Sequence, residues 1–433
     1  MTKMSQIFET DQQYLMPGIQ QIASRSQLVI ERGEGAVLWD EKGKSYIDLF
    51  AGVGVCSVGH SHSRFVGAVT EQLNKVIVGS FSTKVRAEFG ELLASVTPEN
   101  MNRFQLFSCG SEAVEAALRL ARSYTKKSNF LSFWGGFHGK TLGSLGLCGV
   151  DFKNDYQPIP QGYTKVPYAE CYHCPFNLKF PECKLACVDF AKKTIEQELK
   201  GNLAAIVVEP MQGTNGNVIP PESFLPALRQ LANDYDAVLI VDEIITGFGR
   251  TGQMFVSDSP EINPDVIVVG KGMANGLPIS GLISNDEFSS VEPFAKPSGS
   301  SSSFGGNPIV SAAALATLQI ILDENLIENS KKVGSWFLQE LQKFQERYSF
   351  IGNVQGEGLM IGIELNRNKD PNLPLEKEIT NEVFDRMVKA GVIMMCYSAK
   401  IRINPPLCIS QELSEKALIA MQGVFDSIAN DYF

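Results

Sequence analysis

Four β-branched residues ending in a glycine and a lysine, Val266-Ile267-Val268-Val269-Gly270-Lys271, constrain this chain more than any other stretch. A run that is apolar at every position is a strand buried on both faces, which calls for a parallel sheet with helices on each side. The lysine at its end is costly there. Burial favours the neutral amine and lowers its pKa, which is the state a Schiff-base lysine requires. Taken alone, the stretch favours the simpler reading of a strand-end lysine reaching solvent.

The same rhythm recurs along the chain. Apolar runs at Phe130 to Phe133, Ala204 to Val208 and Val238 to Val241 alternate with helical stretches or glycine-rich loops. One such helix is expected over Ser223 to Tyr235, with Phe224, Leu225, Leu228, Leu231 and Ala232 on one face. Before these runs come a β-hairpin from Gly35 to Leu49, a glycine-rich loop from Ala51 to His62, and helical patterning from about Arg64 that leads to a strand at Arg103 to Phe107. Beyond the helix around Ala312 to Leu322 the character changes to a charged helix (Asn329 to Tyr348), a strand-like stretch (Gly358 to Leu365), a helix near Glu378 to Ala390, and Val392 to Ile403. The fold class is therefore α/β: a large domain with a mostly parallel sheet flanked by helices, plus a smaller α+β domain. The expected division is residues 61–325 for the large domain and 326–433 for the small one, with residues 1–60 joining the latter. A chain of 433 residues is long enough for both.

A formal net charge of −10 argues against nucleic acid or an anionic membrane as partner. The start lacks an apolar stretch followed by a small-residue cleavage site, and no uninterrupted apolar run is long enough to span a bilayer, so a cytoplasmic protein is expected. Nine cysteines, an odd number spread over a large chain, do not form a disulfide framework.

Three buried strands end in ionisable groups: Val208 runs into Glu209, Val241 into Asp242, and Val269 into Gly270-Lys271. In open α/β sheets the ligand crevice lies at the carboxyl ends of the strands, so these residues point to a site holding two carboxylates and an amine. Ser108-Cys109-Gly110-Ser111 precedes a helical stripe of Val114, Ala117, Leu118 and Ala121. Ser111 is expected as its N-cap, at a helix start suited to phosphate.

Seven motifs in order carry a resemblance. SCGSEAVEAALRLAR, GFHGKT, VVEPMQG, VDEIITGFGRTG, GKGMANGLPI, SSFGGNP and IRINPPL resemble the motif set of class III aminotransferases, the ω-aminotransferase or ornithine/4-aminobutyrate group of fold-type I pyridoxal 5'-phosphate enzymes. The motifs run from about residue 35 to 408. The resemblance implies that Lys271 forms the internal aldimine and that Asp242 pairs with the pyridinium nitrogen, keeping the cofactor an electron sink. It also implies that Gly110 and Ser111 hold the phosphate, Phe137 and Ile244 cover the two ring faces, and Gln212 bonds the ring hydroxyl. His138, beside Phe137, has a hydrogen-bonding role. Ser303 stands where the family usually has a threonine that reaches the phosphate of the neighbouring subunit, which implies a homodimer with a shared site.

On the substrate side, Arg402 matches the arginine that grips a substrate carboxylate, and Glu209 the glutamate that pairs with it when the donor lacks one. Val53 and Lys140 join this set. Lys140 departs from the family, whose members acting on glutamate, 4-aminobutyrate or acetylornithine usually carry arginine there. The implied function is transfer of an amino group from an amine or amino acid, such as the ω-amine 4-aminobutyrate, to a 2-oxo acid by a ping-pong mechanism. The alternatives are an aminomutase, an amino-acid racemase or a decarboxylase on the same scaffold, and, from another class, a non-catalytic protein of this fold.

Three further signals are weighed. Gly247-Phe248-Gly249-Arg250-Thr251-Gly252 fits GxGxxG but is followed by no helix start, so it reads as a loop. His60 and His62, with no carboxylate close in sequence, read as structural. Cys171-x2-Cys174-x8-Cys183-x3-Cys187 has a ligand count compatible with zinc or an iron–sulfur cluster, while its prolines and aromatics also suit a small packed loop.

Overall fold

Seven strands build the central sheet: β1 (Arg103–Phe107), β2 (Asn129–Phe133), β3 (Tyr163–Val166), β4 (Leu203–Val208), β5 (Val238–Asp242), β6 (Val266–Val269) and β7 (Ser280–Ser284). The computed structural model describes residues 5–433. The first four residues of the expected 1–60 segment lie outside it. The spatial order is β1-β7-β6-β5-β4-β2-β3. Every pair from β6 to β3 is parallel, and β7 alone runs antiparallel to both its neighbours.

The apolar runs are buried on both faces because successive side chains point to opposite sides of the pleat. Leu203, Ile206 and Val208 of β4 join one core with Leu239 and Val241 of β5, while Ala204, Ala205 and Val207 join another with Val238 and Ile240. The helix Gly110–Thr125 covers the second face with Ala113, Val114, Ala117, Leu120 and Ala121. Phe224, Leu225, Leu228 and Leu231 of the helix Phe224–Asp234 cover the first. Each of the larger side chains buried this way contributes about 1.5–3 kcal/mol, which holds the strand ends in place.

Two smaller sheets flank this one. Ile351–Glu357, Met360–Leu365, Lys400–Ile403 and Met395–Ser398 form an antiparallel sheet in that order. The hairpin strand Val37–Asp40 pairs with Ser45–Asp48 on one side and with Ile30–Glu34 on the other, and Ile47 of Ser45–Asp48 pairs in parallel with Val392. One apolar core runs from Ile267 and Val269 through Val310 and Ala313 to Phe337, Ile361 and Ile403.

Several local expectations are corrected. β3 and β7 are strands that the apolar runs do not mark, since Tyr163-Thr164-Lys165-Val166 and Ser280-Gly281-Leu282-Ile283-Ser284 lack a β-branched run. Residues Ala51–Gly54 are a compact turn, not an open loop. Ala51, Gly52, Val53 and Gly54 all have positive φ, at 47°, 63°, 69° and 72°. Ser111 is not the N-cap. Cys109 takes that place with φ −141° and ψ 158°, and Ser111 stands inside the first turn, where its hydroxyl accepts from Lys140 N–H at 3.1 Å. Glu112 reaches back instead and accepts the Ser108 N–H at 3.0 Å.

His60 and His62 do meet carboxylates, brought from afar by the fold: Asp48 at 2.8 Å and Glu324 at 3.1 Å. Among the described residues no single helix is long and apolar enough to cross a membrane. Pro308–Asp323 and Leu326–Arg347 pass by length and composition only as a pair, bent by 63°.

Candidate active site

Strand register brings the ionisable strand ends together. Val208 pairs with Val241 and Asp242 with Val268, so Glu209, Asp242 and the segment after Val269 lie side by side at the carboxyl edge of the sheet. Lys271 stands just beyond β6 with φ 40°, a left-handed conformation that strains a residue with a side chain. Burial lowers its pKa, opposed by the charges of Asp242 and Glu209 and assisted by Arg402. Lys271 has intermediate exposure as a residue, while burial acts on its amine.

Asp242 is 3% exposed and hydrogen-bonds His138 Nδ1 at 2.8 Å through Oδ2, while its Oδ1 accepts from Ile244 N–H. Burial pulls the His138 imidazole down, but its hydrogen bond to Asp242 and the charges of Asp242 and Glu209 outweigh this and leave its pKa raised. Burial raises the Glu209 carboxyl to about 7, with His138 opposing and Asp242 reinforcing the shift. Glu209 accepts from Phe137 N–H at 2.8 Å and Gly213 N–H at 3.2 Å. A buried carboxylate is thus held against the backbone of two separate loops.

Glu209 and Arg402 share no direct hydrogen bond. The Gly213 peptide stands between them: its N–H donates to Glu209, and its carbonyl accepts from Arg402 Nη1 at 3.2 Å. Arg402 lies on Lys400–Ile403 of the antiparallel sheet, so the fold brings it to the crevice from a different layer. Burial lowers its pKa, and the charges of Tyr397 and Glu209 oppose that.

The helix Gly110–Thr125 starts at the end of β1. Its first amides have no intrahelical acceptors and carry the positive end of the dipole, a suitable seat for a phosphate. Ile244 packs against that start so closely that a Cβ on Gly110 would lie 2.8 Å from Ile244 Cδ1. Gln212 donates one N–H to the Trp134 carbonyl at 2.8 Å and accepts from Asn215 at 3.0 Å, which leaves its second N–H for a ligand. Phe137 and Ile244 are half-buried. A dry carboxylate, a lysine, an anion-binding helix start and apolar walls together fit a phosphorylated, protonated heteroaromatic ring.

Ser303 and Lys140 are exposed, and Val53 is half-buried in the left-handed turn. Sequence reasoning misses Asn215 and Tyr168. Asn215 fixes the Gln212 amide, and the Tyr168 hydroxyl donates to the Glu209 and Pro210 carbonyls at 3.0 Å each. Asn215 lies three residues after Gln212, within reach of a turn argument. Nothing in the sequence points from Tyr168 to Glu209.

A family model for aminotransferase class-III matches residues 20–425. Acetylornithine aminotransferase of Methanothermobacter thermautotrophicus is 34% identical over 427 residues, covering 98% of this chain and 99% of that one. A leucine/methionine racemase of Thermococcus litoralis is 32% identical, covering 90% and 89%. Among solved structures, an amine transaminase from an uncultivated Pseudomonas species, with pyridoxal 5'-phosphate bound, is 28% identical with a TM-score of 0.88, covering 96% and 98%.

Proposed function

We propose, on the premise that this chain belongs to the class-III aminotransferase family, how its residues divide the work. The enzyme moves an amino group from an amine or amino acid to a 2-oxo acid with pyridoxal 5'-phosphate, in two successive half-reactions. When bound, that cofactor supplies an electron sink for the pair released at the substrate carbon. Lys271 Nζ is its covalent anchor. As a free amine, Lys271 Nζ would take a proton from the substrate carbon and return it, a transfer worth about 10²–10⁴-fold. Burial lowers its basicity, which favours the neutral amine that accepts a proton. The single observation that carries this reading is the side-by-side register of Glu209, Asp242 and the Lys271 segment.

Asp242 holds the positive charge of the ring nitrogen, and His138 holds Asp242 in orientation. Gly110 and Ser111 seat the phosphate, Phe137 and Ile244 cover the ring, and Gln212 bonds its hydroxyl with the N–H that Trp134 leaves free. Ser303 reaches the phosphate of a partner subunit in a homodimer, a reading its exposure supports. Residues 1–60 join the small domain 326–433, and Ile47 pairing with Val392 supports that division from 61–325. Nine free cysteines suit a reducing, cytoplasmic compartment.

Arg402 binds the carboxylate of an amino-acid substrate, and Val53 also contacts the substrate. Lys140 meets a second acid as a point charge, without the planar fork of arginine. Pyruvate is therefore the better acceptor than 2-oxoglutarate, and Lys140→Arg narrows the gap. Equal use of both by the wild type removes that assignment.

The racemases among the relatives make racemisation the second reading. Donor supplied alone, without acceptor, is the test. One equivalent of 2-oxo acid or aldehyde released per chain supports transamination, and donor that racemises without carbonyl product overturns it.

A further inference from the structure

Between β3 and the helix Ala186–Thr194 the chain makes an excursion that reaches back toward the crevice. Its four cysteines line one cavity, but no three of their sulfurs lie within 4.8 Å of one another, too far apart as they stand to share an ion. Glu170, His173 and Glu364 do gather that closely. Their cation is a lysine: Lys400 Nζ lies 3.2 Å from Glu170 and 3.6 Å from Glu364, while His173 Nε2 bonds Glu364 at 2.5 Å.

Lys400 also holds an amide. Its Nζ donates to the Asn215 carbonyl at 2.8 Å and to Asn215 Oδ1 at 3.3 Å. Asn215 Nδ2 in turn donates to Glu170 Oε2 at 2.9 Å and to Gln212 Oε1 at 3.0 Å, and Gln212 Nε2 donates to the Trp134 carbonyl at 2.8 Å.

The direction of this chain is set at its outer end. An ammonium can only donate and a carboxylate only accept, so Lys400 takes the oxygen end of the Asn215 amide and Glu170 its nitrogen end. Asn215 therefore shows Gln212 a donor, and Gln212 answers with its oxygen. What remains of the Gln212 amide is an NH₂ group, with one N–H on Trp134 and one left for a ligand. A reversed Gln212 would set NH₂ against NH₂ and oxygen against oxygen in a side chain 1% exposed. Nor is there slack for a water to mend this: a Cβ on Gly135 would lie 2.5 Å from Asn215 Nδ2 and 2.7 Å from Gln212 Oε1.

The consequence rests on the proposed function, in which that remaining N–H meets the ring hydroxyl of the cofactor. A donor there favours the ionised ring oxygen and draws on its negative charge, which weakens the hold of that oxygen on a proton at the nearby Lys271 nitrogen. An acceptor there would do the reverse. We propose that Lys400 and Glu170, acting through Asn215, are positioning residues that fix the polarity of the Gln212 amide, so that it always offers the cofactor's ring oxygen a donor.

The test is the visible absorption of the substrate-free holoenzyme, titrated with pH. Asn215→Leu removes the pin without a change of charge, and Asp242, Glu209 and Arg402, which act on Lys271, and His138 on Asp242 stay as they are. Its titration midpoint should lie about one pH unit above that of the wild type, the equivalent of one hydrogen bond to a charged group. Gln212→Leu should show the same rise, and adding Asn215→Leu to it should change nothing further, because both act through one group. Should Asn215→Leu fail to load the cofactor, Lys400→Met takes its place, with a rise expected in the wild-type background and none in Gln212→Leu. A midpoint that the substitution leaves in place, or a rise that persists in Gln212→Leu, would overturn this relay and leave the proposed function standing. Wild-type protein with no visible cofactor band would overturn both.

Discussion

The two sides of the crevice are built differently. On the side proposed for the cofactor, Asp242, Glu209 and Gln212 sit at or just beyond parallel strand ends, 1–5% exposed, with every carboxylate or amide already bonded to the backbone or to a buried partner. On the side proposed for the substrate, Arg402 comes from a separate sheet, Lys140 is exposed, and Val53 sits in a strained turn. Rigid, packed groups can hold a ring within a fraction of an ångström, as preorganised catalysis requires. Exposed groups on loops can change with less cost to the core, so the reaction class and its substrate are decided by different parts of the molecule.

The sharpest break of this contrast is at Lys271. Lys271→Ala removes both anchor and proton carrier, and turnover should fall by at least about 10²–10⁴-fold, whatever donor is used. Steady-state rates with several donors measure it; near-wild-type turnover with even one of them would refute the assignment. Arg402→Ala should instead be selective. Loss of a charge-assisted, forked contact costs about 1.5–3 kcal/mol. KM should rise about 10–100-fold for amino-acid substrates and scarcely at all for simple amines. A uniform loss across both classes would place Arg402 with the structural groups.

Glu209 tests the buried side through stability. Its folded pKa is raised, so the native state holds a proton that the unfolded chain releases above the ordinary carboxylate range. Its contribution therefore falls as pH rises from about 4.5 to about 7 and stays low above that. One proton held in this way gives stability a slope on the order of 1.4 kcal/mol per pH unit. In the cofactor-free protein, Glu209→Gln should remove that slope and flatten the decline of Tm over the same window. Parallel curves for variant and wild type would show that Glu209 is not strained by burial.

The smallest expected effect is at Val53. A β-branched residue at φ 69° costs about 1–2 kcal/mol, and glycine loses about 0.5–1 kcal/mol more conformational entropy on folding. Relief wins by a small margin, so Val53→Gly should raise stability by about 0.5–1 kcal/mol in denaturant unfolding while changing donor preference. A destabilised variant would mean that the side-chain contacts of Val53 outweigh its strain.

Much of this is legible in the amino-acid sequence. β4, β5 and β6 stand out because a strand buried on both faces must be apolar at every position, and the residues that end them stand out for the same reason. β3 and β7 are silent, since Tyr163-Thr164-Lys165-Val166 and Ser280-Gly281-Leu282-Ile283-Ser284 are held by their neighbours in the sheet and not by their own pattern. The Ser111 hydroxyl misleads because a good capping residue is also good at other hydrogen bonds, and Lys140 N–H, 29 positions on, claims it.

Periodicity and residue type, which are local quantities, determined the α/β class, the three ionisable strand ends and the four-cysteine spacing. Distances between segments far apart in the chain are not local. Only the tertiary structure put the Gly213 peptide between Glu209 and Arg402, set His138 on Asp242, and turned four cysteines toward one cavity. Those arrangements follow from strand order and register, which are chosen by the packing of the whole core and are written in no single stretch of sequence.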